Sequence, residues 1–356
     1  MNEHEQWMAR CLSLARLGAA SAAPNPLVGA VLVQQGRLRA EGWHREPGMP
    51  HAEAECLRAF GGGPVPPDAT LYVNLEPCDH QGRTPPCSLL IIARQIRHVV
   101  IAHRDPFPAV DGGGIARLRA AGVEVTEGVR AAEAEWMNRR FLTSIRKGRP
   151  YIILKWAQST DGFLDRHPRN GRGVQRISAP ATDTLVHRWR SEEQAIMAGS
   201  RTVLNDDPRL DVRHAEGRSP LRVIIDRDGL TPASSHVYDG TRPTLLFTLA
   251  ARPGLAAEQC ILDRSDDPLE HVLNEVHRRG IRSILVEGGA RLHGAFLTQG
   301  LWDEARVVTG GAAFGVGTPA PTLPVAPVRT QQATGDRIDL FVNAAQQPLP
   351  DPAWPW

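Results

Sequence analysis

Short apolar runs of strand length alternate with segments of helical period along this chain, and the alternation starts afresh after residue 150. The pattern points to α/β layers, because segments of period 2 and period 3.6 bury their apolar sides against each other. In the first half, Trp7, Cys11 and Leu14, with Met8, Leu12 and Ala15, repeat at helical spacing, and Leu27 to Val33 is an apolar run ended by the turn signal Gln35-Gly36. Predicted helices at 51–60, 87–95, 114–121 and 130–142 then interleave with predicted strands at 71–75, 98–102 and 123–126. This order predicts a three-layer α/β domain. The polar stretch Arg146-Lys147-Gly148-Arg149-Pro150 suits a linker, which places one domain at 1–147 and a second at 148–356. In the second, predicted strands at 151–155, 195–198, 221–226, 244–248, 281–287 and 304–308, with helices at 181–193, 268–279 and 290–299, make a largely parallel sheet. Residues 165–173 read as a polar loop.

Lys and Arg total 41 against 39 Asp and Glu, a net charge of +2 with no run of like charges, so nucleic acid is not expected as a partner. Met1 to Arg10 is polar, without the apolar core of a secretory signal, and no membrane association is expected. Residues 307–328 carry no charge, but Pro319, Pro321, Pro324 and Pro327 argue for a loop rather than a span. Five cysteines in a chain of 356 residues do not make a disulfide framework, and the expected compartment is the reducing cytoplasm.

The chemistry concentrates in His51-Ala52-Glu53, Glu76-Pro77-Cys78 and Cys87. One His and two Cys make three soft ligands, the number that leaves a catalytic zinc open to water, whereas a structural zinc closes with four. His51 and Cys87 each open a predicted helix, and Cys78 follows a predicted strand. Glu53, two residues after the His, occupies the position of a general acid/base. H-x-E followed by P-C and a second Cys is the signature of zinc-dependent nucleobase deaminases, although eight residues, Asp79 to Pro86, stand where the generic motif has two. His44 or His80 as a fourth ligand would make the zinc structural instead, and iron suits the same three ligands. Cys11, Cys56 and Cys260 read as core residues.

Pro24-Asn25-Pro26-Leu27-Val28-Gly29, His51-Ala52-Glu53 and Leu75 to Cys87, ending Gly-Arg-Thr-Pro-Pro-Cys, stand in order. With them the chain resembles the bifunctional deaminase-reductases of riboflavin biosynthesis over nearly its whole length, and the long Cys-to-Cys spacing is that family's own. The resemblance implies a cytidine-deaminase-like first domain that removes an amino group from a diaminopyrimidinone carrying a phosphoribosylamino group. Its zinc would be held by His51, Cys78 and Cys87, with Glu53 moving protons. Asn25, His44, Arg83 and Asp105 would line the substrate pocket. Phe107 stands where the family often has Asn.

The second domain resembles the family's reductase, similar in fold to dihydrofolate reductase and dependent on NADPH. No G-x-G-x-x-G occurs, but Glu287-Gly288-Gly289 ends an apolar strand and opens a helix, where free N–H groups suit a phosphate. Leu154 to Gly162 and Gly199 to Pro208 resemble two reductase motifs. By position Ala157, Arg176, Thr202, Asp206 and Gly289 would contact NADPH, and Arg190, Leu210, Arg213 and Glu287 the small-molecule substrate. A homo-oligomer, dimer or tetramer, is implied. The chain departs from the family at Phe163 to Gly173, at Arg176 in place of Trp, and at Thr309 to Thr318. The rival readings are a deaminase of another nucleobase with a non-catalytic second half, and a zinc-stabilised binding protein without turnover.

Overall fold

The computed structural model describes residues 2–81, 85–264, 268–333 and 335–343, in two compact units that meet in sequence at Gly148 and Arg149. The first unit holds strands β1 Gly29–Gln34, β2 Arg37–Trp43, β3 Ala69–Val73, β4 His98–Ile101 and β5 Glu124–Glu127 in the order β2-β1-β3-β4-β5. Strand β1 runs antiparallel to β2 and β3, while β3, β4 and β5 are parallel. Its helices are α1 Glu3–Ala15, α2 Ala52–Phe60, α3 Cys87–Ala93, α4 Gly113–Ala120, α5 Ala131–Met137 and α6 Arg139–Lys147. One face of the sheet buries Leu32, Leu71, Val73, Val99 and Ile101 with Cys56 and Leu57 of α2 and Ile91 of α3. The other buries Val31, Val33, Tyr72 and Val100 with Met8, Cys11 and Leu12 of α1. Two helical layers thus enclose one sheet.

The helix expected at 130–142 is broken at Asn138, whose buried side chain accepts from Leu27 N at 2.7 Å and donates to Leu27 O at 3.1 Å. Arg146 and Lys147, expected in a linker, belong to α6, and only 148–150 connect it to the next strand.

The second unit is built on β6 Tyr151–Gln158, β7 Ala195–Gly199, β8 Leu221–Ile225, β9 Thr244–Thr248, β10 Glu258–Ile261, β11 Ser283–Val286, β12 Glu304–Thr309, β13 Arg329–Ala333 and β14 Asp336–Val342. Their order is β10-β9-β8-β7-β11-β6-β12-β14-β13, parallel from β10 to β12 and antiparallel through β14 to β13. Helices α7 Thr182–Glu192, α8 Ser200–Asp206, α9 Pro268–Arg278 and α10 Ala290–Thr298 complete it. Ile152, Leu154, Met197, Val223, Phe247, Ile284 and Val286 pack against Val272 and Val276 of α9 and Phe296 of α10. Parallel strands buried on both faces read as continuous apolar runs, which is why they were legible in the sequence. Cys11 and Cys56 are buried, and Cys260 is half-buried on β10. No described helix is long and apolar enough to cross a membrane.

Candidate active sites

In the first unit, His51 is the N-cap of α2 in extended conformation, Cys87 is the first residue of α3, and Cys78 lies in the loop that leaves β3. Their ligand atoms lie within 4.8 Å of one another: His51 Nδ1 is 3.5 Å from Cys78 Sγ and 3.4 Å from Cys87 Sγ. An imidazole nitrogen and two thiols converging this closely are a donor set that fits zinc. Hydrogen bonds from Cys87 and His51 outweigh burial and bring the Cys78 thiol down to about 4, favouring the thiolate that ligates. Glu53, in the first turn of α2, is 3% exposed and hydrogen-bonds with Cys87. Burial raises its carboxyl to about 7.

The loop carrying Cys78 is fixed from α4. Glu76 accepts backbone N–H groups of Asp105, Gly112 and Ile115, each at 3.1 Å, and Asp79 accepts from Ser88 Oγ at 2.6 Å and from Arg117. At Gly114 a Cβ would stand 1.9 Å from Pro77 O, so only glycine lets the helix approach this closely.

Asn25 Nδ2 lies 2.9 Å from His44 Nε2, His44 Nδ1 lies 3.1 Å from Pro50 O, and the His44 ring stands edge-on to His51 with centroids 5.5 Å apart. With both nitrogens engaged, His44 is not a fourth ligand, and the metal-holding cluster among the described residues includes neither His44 nor His80. Asp105 is buried, its carboxyl pushed up to about 6 by burial and accepting from Phe107 N at 2.9 Å. The predicted substrate residue Arg83 lies outside the described residues. Sequence reasoning missed Asn74 and Asn138. Asn74 accepts from Gly29 N at 2.7 Å and donates to Leu27 O at 2.9 Å, so two buried amides hold the segment that follows Asn25.

In the second unit, Ala157, Arg176, Arg190, Thr202, Asp206, Leu210, Arg213, Glu287 and Gly289 all line one cavity of about 460 Å³. These residues come from β6, α7, α8, the segments before α7 and after α8, and the turn after β11, around the carboxyl ends of parallel strands, where open α/β sheets bind ligands. Arg190 holds Glu287 in a bidentate pair, both contacts 2.7 Å, and donates to Asp211 O at 3.0 Å. Lys155 Nζ stands 3.8 Å from Glu287. Burial opposes ionisation of Glu287, but Arg190 and Lys155 overcome it and hold the carboxyl at about 2. Burial lowers the Lys155 ammonium. Lys155 was passed over because a single Lys in an apolar strand carries no spacing signal.

Gly288 has φ of +126°, a conformation reserved for glycine, and a cis peptide joins it to Gly289. A Cβ on Gly289 would meet Thr202 Oγ1 at 3.2 Å, so this turn is a bare-backbone cradle that fits a dinucleotide. Thr202, Asp206 and Gly289 also line an adjoining cavity of about 940 Å³. Arg176, at the rim of the smaller cavity, pairs with Asp183 at 2.8 Å and is half-exposed. Arg213 pairs with Asp211, and Asp206 is held by Arg169 at 2.7 Å.

The cytidine and deoxycytidylate deaminase zinc-binding region matches residues 1–103, and the RibD C-terminal domain matches residues 150–333. The chain is 36% identical over 329 residues to the riboflavin biosynthesis protein RibD of Bacillus amyloliquefaciens, covering 90% of this chain and 87% of that one. It is 37% identical over 320 residues to RibD of Escherichia coli strain K12, covering 85% and 86%. The solved structure of a diaminohydroxyphosphoribosylaminopyrimidine deaminase/5-amino-6-(5-phosphoribosylamino)uracil reductase from Thermotoga maritima superposes with a TM-score of 0.85 at 34% identity, covering 96% and 98%. RibD of Acinetobacter baumannii gives 0.83 at 31%. With a cytidine-deaminase-like zinc site in its first unit and a reductase unit of the NADPH-dependent kind in its second, the chain belongs to the RibD family of bifunctional riboflavin biosynthesis enzymes.

Proposed function

We propose that the first unit hydrolytically deaminates 2,5-diamino-6-(5-phosphoribosylamino)pyrimidin-4-one and that the second reduces the ribosyl group of the product to ribityl phosphate. The observation that carries this reading is the convergence of His51, Cys78 and Cys87 with the buried Glu53 beside them. Zinc held by those three side chains supplies the Lewis acidity that makes water a nucleophile near neutral pH. Glu53 takes a proton from the attacking water and returns it to the departing amine. Asn25, His44, Arg83 and Asp105 orient the pyrimidine.

In the second unit Ala157, Arg176, Thr202, Asp206 and Gly289 would hold NADPH, which would supply the hydride for the sugar's C1, while Arg190, Leu210, Arg213 and Glu287 would hold the substrate. Opening the ribose ring at C1 leaves its oxygen in need of a proton, and Lys155, with a lowered pKa at the cavity wall, is placed to give one. The fixed Glu287 anion keeps Arg190 and Lys155 aimed at the substrate. Domain limits near 147, a homo-oligomeric state, the cytoplasm as compartment and the absence of a nucleic-acid partner complete the reading, supported by the near-neutral charge.

The test is NADPH oxidation by metal-loaded protein given the diaminopyrimidinone substrate, with Glu53→Ala in parallel. Oxidation that requires Glu53 is the expected result. If the variant oxidises NADPH as fast as the parent, the deaminase assignment fails; if neither responds even to the deaminated intermediate, the reductase assignment fails.

A further inference from the structure

The larger cavity of the second unit contains cations that the mechanism does not use. Arg201, Arg227 and Arg291 line it, and among the described residues their side chains make no hydrogen bond or ion pair. Arg169, on the same wall, is consumed by Asp165 at 3.2 Å and Asp206 at 2.7 Å. Asp228 is the remaining carboxylate of the lining without a partner. Three free guanidiniums against one free carboxylate make this surface a receptor for a multiply charged anion.

Their placement is ordered by the sheet. Arg227 follows β8, Arg201 follows β7, and Arg291 follows the turn after β11, three adjacent parallel strands in the order β8-β7-β11. Strands lie about 4.8 Å apart, so Arg227 and Arg291 leave the sheet edge roughly 10 Å from each other. The smaller cavity, where Lys155, Arg190 and Glu287 meet, lies on the β11 and β6 side and opens into the larger one at Thr202, Asp206 and Gly289. A dinucleotide whose nicotinamide reaches Lys155 therefore runs its pyrophosphate past Gly289 and its adenosine toward β8.

We propose that Arg227 reads the 2′-phosphate of NADPH and so sets the preference for NADPH over NADH, while Arg201 and Arg291 hold the pyrophosphate beside the Gly288–Gly289 turn. The proposal rests on the reading of these cavities as the cofactor site. A guanidinium matches a phosphomonoester through two parallel N–H···O bonds, a contact that a bare ribose hydroxyl cannot replace. Asp228 is close in sequence and favours a 2′-hydroxyl, so Arg227 must dominate it for the phosphate to be accepted.

The experiment is calorimetric titration of the full-length protein with NADPH, NADH and adenosine 2′,5′-bisphosphate, for the parent, Arg227→Gln and Arg291→Gln. Both side chains are exposed, so neither change removes core, and matching thermal midpoints check this. Arg227→Gln is expected to weaken NADPH and the bisphosphate about tenfold or more, and NADH by less than about twofold. Arg291→Gln is expected to weaken NADPH and NADH alike. A parent that prefers NADPH and an Arg227→Gln variant that keeps the same ratio would overturn the assignment while leaving the cofactor site intact. A parent that binds neither dinucleotide would overturn the cofactor site itself.

Discussion

Two glutamates, one in each unit, are shifted in opposite directions from the ordinary carboxylate range. At Glu53 burial outweighs the nearby His51 and the hydrogen bond with Cys87 and raises the carboxyl to about 7. Glu287 is less enclosed, its side chain 9% exposed, and although burial opposes its charge too, Arg190 and Lys155 bring it to about 2. Burial pushes both carboxyls up, and only Glu287 has cations strong enough to reverse it, which sets the role: an acid near neutrality exchanges protons, whereas an ionised one organises cations.

The largest expected effect separates the two roles. Glu53→Gln removes the proton carrier without touching His51, Cys78 or Cys87, so ammonia release should fall about 10²–10⁴-fold. Zinc content by elemental analysis and NADPH oxidation with the already deaminated substrate should stay at parental levels. A variant that loses its zinc would show Glu53 to be structural and would break the contrast.

Glu287→Gln tests the other side. It leaves the part-buried Arg190, 12% exposed, without its counter-charge, a loss of about 3 kcal/mol, the lower end of what breaking a fully buried pair costs. Denaturant unfolding of the second unit should shift by that amount, and reductase turnover should collapse while deamination persists under native conditions. An unchanged unfolding free energy would mean that the pair is solvated and that Glu287 resembles a surface carboxylate.

The same pair makes a pH prediction. The carboxyl of Glu287 is depressed from an ordinary 4.5 to about 2, so its contribution is fully present above pH 4.5 and is lost as pH falls from 4.5 toward 2. The shift corresponds to about 3 kcal/mol, an order-of-magnitude figure. Acid unfolding of the parent should be steeper across this window than that of Glu287→Gln, and parallel curves would refute the pairing.

The two sites also differ in how far the sequence exposes them. The deaminase cluster was readable because its groups sit in one span from His51 to Cys87, with His51 and Cys87 at helix starts that Pro50 and Pro86 precede. The reductase site draws on residues from Lys155 to Gly289, and only the family resemblance assembled them in advance. Strands β2, β10 and β13 were missed, and all are sheet edges whose polar residues blunt pairing with other chains and erase the apolar pattern. Strand β14 was missed because Asp336 and Asp339 interrupt its apolar residues, although both carboxylates are buried and hydrogen-bonded, Asp336 to Thr182 at 2.6 Å and Asp339 to Thr330 at 2.6 Å. Two of the three departures from the family, 163–173 and 309–318, pack on each other: Leu164 N donates to Thr318 O and His167 N to Val316 O, both at 2.9 Å, and beside them Asp161 accepts from Gly315 N at 2.7 Å. Their separation in sequence hid this contact.

The smallest effect concerns Arg176, the family's usual Trp. Its side chain is 53% exposed, and its partner Asp183 is part-exposed as well, so solvent screens the pair. Arg176→Ala should change stability by less than about 1 kcal/mol, in contrast to Glu287→Gln, and the loss should shrink with added salt. Because Arg176 also lines the smaller cavity, NADPH titration of the same variant decides what the departure from Trp means. An unchanged dissociation constant makes the residue a surface feature at the rim. A tenfold rise would show that the guanidinium leaves Asp183 to meet the cofactor, and the reductase site would then hold a mobile cation beside its fixed ones.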